Sequence, residues 1–102
     1  MATKSSGVDL AVDTPANVGQ AGIGGGTYSV QILNRDSTTA IVQLGVSATT
    51  AAFEDARMIL NAETLNPGKS ITYAPVVCEA SEFIVGQSDT IDVNMLMMGH
   101  DE

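Results

Sequence analysis

Between Thr27 and Ser47 the chain alternates apolar and polar residues in two runs. Tyr28, Val30 and Ile32 are separated by Ser29 and Gln31, and Ala40, Val42, Leu44 and Val46 repeat the pattern. Successive side chains of a strand point to opposite faces, so each run describes a strand with one buried face. Asn34-Arg35-Asp36-Ser37 lies between them and supplies turn chemistry. Asn and Asp tolerate unusual backbone angles and bond nearby amides through their side chains. Asn34 and Asp36 are expected to set this turn, and Arg35 to make a salt bridge. The two runs are close enough in sequence to pair antiparallel, so a hairpin is the expectation.

The same reading extends to the carboxyl end. The stretch TTAAFEDA suggests one helical turn, with Thr50 as cap and Glu54 near its start. Arg57 to Leu60 reads as a short strand. Asn66-Pro67-Gly68-Lys69 is a turn in which Pro67 fixes φ and Gly68 accepts a positive φ. Ser70 to Tyr73 follows as a strand that stops, or lies at an edge, by Pro75. Glu82 to Val85 is the next, ended by Gly86-Gln87-Ser88-Asp89. In the last, Thr90 to Met98, the residues Ile91, Val93, Met95 and Met97 share one face. Its end is apolar on both faces, as in a central or contact strand. No repeat of 20–50 residues is visible. Short strands separated by turns predict an all-β fold over residues 27–102, a small antiparallel β-sandwich or jelly-roll-like domain.

Residues 1–26 are different in kind. They are rich in Ala, Gly, Ser, Thr and Asp, and their larger apolar residues stand singly: Val8, Leu10, Val12, Val18 and Ile23. Leu10 and Val12 have the spacing of a short strand. The segment as a whole predicts a flexible or extended N-terminal arm, hinged at Gly24-Gly25-Gly26.

The chain has 102 residues, the size of one domain. Hydrophobic residues make up 44% but aromatic ones only 4%, so the core must come from Val, Ile, Leu, Met and Ala. Such a core is thin, and contacts between copies would supplement it. The formal net charge is −8. The cations Lys4, Arg35, Arg57 and Lys69 are scattered, which argues against nucleic acid and anionic membrane surfaces as partners. Cys78 is alone, so the fold does not depend on an internal disulfide. MATKSSGVDLAVD lacks the apolar run of a signal peptide, and no window approaches the ~18 apolar residues of a membrane span. Synthesis in a cytoplasm is the expectation.

No constellation of reactive residues stands out. AGIGGG, residues 21–26, lacks the Gly-Lys-Ser/Thr ending of a phosphate loop and the strand–helix context of a dinucleotide fingerprint. His100-Asp101-Glu102 reads as a mobile acidic tail rather than a metal site. Cys78 has no base beside it in sequence, and reads as a buried or half-buried thiol. The pairs Glu54–Asp55 and Glu79–Glu82 read as surface charge, since an acid–base site on sugars would need aromatic platforms this chain lacks. No catalytic, cofactor-binding or metal-binding residue is assigned, and an enzyme is not expected.

The segment VQILNRDSTTAIVQLGVS resembles a strand–turn–strand of small virion proteins of tailed bacteriophages. The likeness lies in Asn34-Arg35, then Ser37, Thr38, Thr39 and Ala40. It continues through Phe53-Glu54-Asp55, the Asn66–Lys69 turn, Val77, Ala80, Ile84 and Val85, and the ending Met98 to Glu102. This chain departs from the pattern in Met97-Met98, where an aromatic is usual, and in its Pro-Gly turn. The resemblance implies a β-structured subunit of a phage particle, most simply a capsid decoration or cement protein. It would be made in the host cytoplasm and located in the virion. Its partners would be the major capsid protein or other virion subunits. A homo-oligomer is implied, with a trimer natural at a three-fold junction, although nothing in the sequence sets the number. Residues 1–26 would then be the shell-binding arm. The alternatives are a tail, neck or fibre-associated subunit, and a carbohydrate-binding module on a host-recognition appendage.

Overall fold

The computed structural model describes residues 2–102. Eight strands follow one another: β1 (Ala2–Asp9), β2 (Ala16–Gln20), β3 (Gly26–Asn34), β4 (Ala40–Ser47), β5 (Met58–Leu65), β6 (Ser70–Cys78), β7 (Phe83–Ser88) and β8 (Val93–Asp101). They form two four-stranded antiparallel sheets, ordered β1-β8-β3-β6 and β2-β7-β4-β5. The pairs are nested: β4 lies beside β5, β3 beside β6, β2 beside β7 and β1 beside β8. The chain is in effect one long hairpin, closed at β4–β5 and rolled up, which is the strand order of a jelly roll. The expected all-β sandwich is what the chain forms.

Alternation puts the buried residues between the sheets. Tyr28, Val30, Ile32, Val93, Met95 and Met97 come from the first sheet, and Val18, Val42, Leu44, Val46, Leu60 and Ile84 from the second. Few rings are available, so methionine fills the depth. A Cβ on Gly86 would strike Met95 Sδ, and one on Gly19 would lie 2.6 Å from Met97 Cε. Each methionine therefore enters a socket made by a glycine of the opposite sheet. The close packing of interiors makes such sockets specific. Among the described residues Tyr28, on β3, is the one aromatic side chain that is buried.

Four expectations need correction. First, β3 and β4 are not a hairpin: β3 pairs with β6 and β8, and β4 with β5 and β7. Alternation dictates which face is buried, not which strand lies alongside. Arg35–Thr39 carry the chain from one sheet to the other, a gap of about 10 Å. Second, residues 2–26 are not an arm. β1 pairs with β8 in unbroken register from Ala2 to Asp9, and β2 with β7. Backbone donors and acceptors along one side of β8 need partners, and a strand of Ser, Thr and Gly can supply them without a large apolar side chain. Leu10 and Val18 are core residues, and Val8 packs against the core.

Third, His100-Asp101-Glu102 is not a tail, because β8 continues to Asp101 and Glu102 N–H donates to Gly25 O at 2.9 Å. Fourth, Gly24-Gly25-Gly26 is not a hinge. Gly25 sits at φ +81°, and a side chain on Gly24 would lie 2.5 Å from Glu102 O. The run turns tightly against the chain end. Smaller adjustments follow the same logic. Gly86 to Ser88 belong to β7 rather than to a turn. The helical turn is a 3₁₀ turn at Asp55–Arg57, with Glu54 rather than Thr50 before it. Pro75 stays within β6, which is an edge strand as expected.

Candidate functional site

The four loops β1–β2, β3–β4, β5–β6 and β7–β8 meet at one end of the sandwich. Asn34 ties two of them, β3–β4 and β5–β6, together. Its buried amide donates to Thr38 O and Leu65 O, both at 2.9 Å, and its Oδ1 accepts Asp36 N–H at 2.9 Å. Its backbone accepts from Gly68 N–H and donates to Lys69 O. Asp36 accepts from Ser37 N–H and Thr38 Oγ1. Arg35 does form the expected salt bridge, 2.8 Å from Asp9, and also donates to Asn94 at 3.0 Å. In the Pro67-Gly68 turn Lys69 N–H donates to Asn66 O, with Gly68 at φ +73°. The residues assigned to turns thus come together as a clamp between two crossing loops.

At the other end, Asp101 gathers three partners. The Tyr28 hydroxyl donates to its Oδ1 at 2.5 Å, Gly22 N–H donates to the same oxygen at 3.1 Å, and Lys4 Nζ lies 3.0 Å from Oδ2. The Tyr28 bond, then Lys4, hold the Asp101 carboxyl below the usual carboxylate range. Burial first, and the bond to Asp101 second, push Tyr28 up to about 12. Nearby, Arg57 forms a two-pronged pair with Glu82, whose Oε1 also accepts Glu79 N–H at 2.7 Å. Arg57 accordingly lowers the Glu82 carboxyl. Cys78 is buried, and that burial raises its thiol to about 11. His100 faces outward beside Thr3, away from the interior that holds Cys78. No group of three or more His, Cys, Asp or Glu is placed to hold a metal among the described residues.

The sequence places Tyr28 on a buried strand face, Lys4 among scattered cations and Asp101 in a tail, and nothing in it brings the three together. The signal for Asp101 was present, because Val93, Met95, Met97, Gly99 and Asp101 continue one alternation. Nothing local marks Arg57 and Glu82 as partners.

The remaining candidates are surfaces. Asp9, Asp13, Asp36, Asp89 and Asp92 cluster at the Asn34 end, and Glu54, Asp55, Glu79, Glu82, Asp101 and Glu102 at the other. Glu63 on β5 is the exception. The outer face of the first sheet is nearly uncharged. Its cross-strand rows are Thr3–His100–Thr27–Val77, Ser5–Met98–Ser29, Gly7–Leu96–Gln31–Thr72 and Asp9–Asn94–Leu33–Ser70. A shallow depression of about 570 Å³ lies on it, beside Ser5, Met98 and His100.

The two flanks differ. Between β5 and β6 the sheets part into a groove of about 380 Å³ that includes Met58, Ile59, Pro75 and Val77. On the β1–β2 side Lys4 Nζ donates to Gln20 O and Ser6 Oγ to Val18 O, closing the sandwich. Of the five apolar residues assigned to shell binding, only Ile23 and Val12 are exposed, at 90% and 43%. No family model, curated protein or solved structure matches the chain.

Proposed function

We propose that this chain is a structural subunit of a tailed-phage virion, acting as a capsid decoration protein that binds its neighbours through its folded body. The observation that carries this reading is the placement of charge. Carboxylates crowd the two ends, while among the described residues the outer face of the first sheet and the β1–β2 flank carry no unpaired acidic side chain. A molecule of net charge −8 repels its own copies through any acidic surface. Neutral sides let copies lie alongside one another, with the charge kept at the ends and out of those contacts. The sequence resemblance to small phage virion proteins supports the same reading.

With residues 2–26 inside the sandwich, the shell contact falls to the ends of the body. Ile23 is the best anchor. It stands 90% exposed in the β2–β3 turn, which Gly25 N–H closes onto Gly22 O at 3.0 Å. An apolar side chain on a rigid turn binds with little ordering cost. The partner is the major capsid protein.

Quantitative mass spectrometry of purified particles tests the reading. A decoration protein is present in fixed proportion to the major capsid protein. Copies in proportion to tail, neck or fibre subunits would move the protein there. In a companion binding assay on undecorated heads, Ile23→Asp is expected to lose binding while its melting curve stays that of the parent.

A further inference from the structure

We propose that the shell surface receiving Ile23 is an apolar seat rimmed by lysine or arginine, so that the contact is hydrophobic at its centre and charge-paired around it. The inference rests on the reading of this chain as a decoration protein, and names the chemistry of the site it docks on. The turn that carries Ile23 is held on both sides. Gly22 N–H donates to Asp101 Oδ1 at 3.1 Å, and Gly22 O accepts from Gly25 N–H and Ser81 N–H at 3.0 and 2.8 Å. Ala21 N–H donates to Glu82 O at 2.8 Å. Crowding keeps the neighbours of Ile23 small: a Cβ on Gly22 would lie 2.9 Å from Asp101 Cγ, and one on Gly24 2.5 Å from Glu102 O. Ile23 itself is 90% exposed, more than any other large apolar residue described. At that exposure it contributes almost no burial to the fold.

The packing that fixes the turn also sets carboxylates around it. The backbone of Glu102 lies against Gly24, and a Cβ on Gly25 would lie 3.3 Å from Glu79 Cα. Glu79 and Glu102 are both exposed. Glu54 and Asp55 lie at the same end of the sandwich. The cationic side chains described there, Lys4 and Arg57, are taken up by Asp101 and Glu82. Glu54, Asp55, Glu79 and Glu102 form no ion pair among the described residues. The exposed isoleucine therefore stands inside an uncompensated acidic collar.

That collar selects the partner. A surface that closes over Ile23 also takes water from Glu79 and Glu102. A carboxylate that loses water without gaining a partner opposes binding, and one set against another carboxylate is repelled. A neutral or acidic rim would thus cancel what the isoleucine contributes. A rim of lysine or arginine pairs with the same two groups and steers the approach as well. The collar also rejects a second copy of this chain at this end, because each copy presents the same excess of carboxylates.

Binding of the purified protein to undecorated heads over a range of salt, at low occupancy where copies do not touch, tests this. Affinity is expected to fall roughly tenfold or more between about 50 mM and about 500 mM salt. Glu79→Gln/Glu102→Gln is expected to bind roughly tenfold more weakly at low salt and to lose most of the salt dependence. Asp13→Asn/Glu63→Gln removes the same charge from exposed positions away from the turn, and is expected to bind like the parent. Three results would overturn the inference and leave the virion reading standing: parent binding that salt leaves unchanged or tightens, a collar variant that binds like the parent, and a control pair that weakens binding as much as the collar pair. A parent that binds heads at no salt concentration would overturn the virion reading, and this inference with it. The salt series needs no variant, so the test survives if a double substitution folds poorly.

Discussion

Met95 and Met97 fill the space that Gly86 and Gly19 leave open in the opposite sheet. Gly86→Ala pushes a methyl group into Met95 and is expected to cost about 1–3 kcal/mol. Met95→Ala leaves a void and is expected to cost about 2–5 kcal/mol. Gly86→Ala combined with Met95→Val should cost less than the sum of the two single changes, because the smaller side chain makes room for the methyl. Urea unfolding of the variants measures all of these. The buried Tyr28 and Cys78 act on stability through pH. Their folded pKa values are raised, from 10 to about 12 and from 9 to about 11. Both favour the folded state while protonated, so their contribution is complete below pH 9 and is lost as pH rises toward about 12. Asp101 and Glu82 are lowered, so their contribution is present above the ordinary carboxylate range and is lost as pH falls through their depressed values. Denaturant midpoints against pH should form a plateau between these limits. Cys78→Ala should delay the alkaline decline, which would then begin near pH 10, where Tyr28 takes over.

Among the strands, β3, β4 and β8 were legible from alternation alone, and Gly68 announced its turn. β1 was not legible, because Ser, Thr and Gly alternating with Lys4, Ser6 and Val8 present no apolar face. Its place comes from a need that belongs to β8, a strand central in its sheet whose far side would otherwise go unpaired. The partners of β3 and β4 were hidden for a related reason: short loops permit a hairpin, but a rolled sandwich uses them to cross between sheets. Asp101 and Tyr28 lie 73 positions apart and meet only once β8 is beside β3. Removing residues 1–22 deletes both β1 and β2 and strips one edge from each sheet. That truncated chain is expected to show no cooperative thermal transition by circular dichroism. A truncated chain that melts like the parent would mean that the first two strands are dispensable to the fold.

For the molecule as a whole, charge at the ends and neutrality along the sides is the property from which the account of function follows. Self-repulsion at net charge −8 is long-ranged and screened by salt, with a Debye length of about 10 Å at 0.1 M. Contacts between copies should therefore tighten as ionic strength rises, which sedimentation at several salt concentrations would record. Association held together by charge pairs would weaken instead. The most direct measurement is a cryo-electron microscopy reconstruction of phage particles that carry this protein. The account predicts density for the sandwich repeated across the head lattice, with the Ile23 turn set against the shell and neighbouring subunits touching through their uncharged sides. Density confined to the neck, tail or fibres, or subunits held to the shell by an unfolded β1–β2 segment, would contradict it.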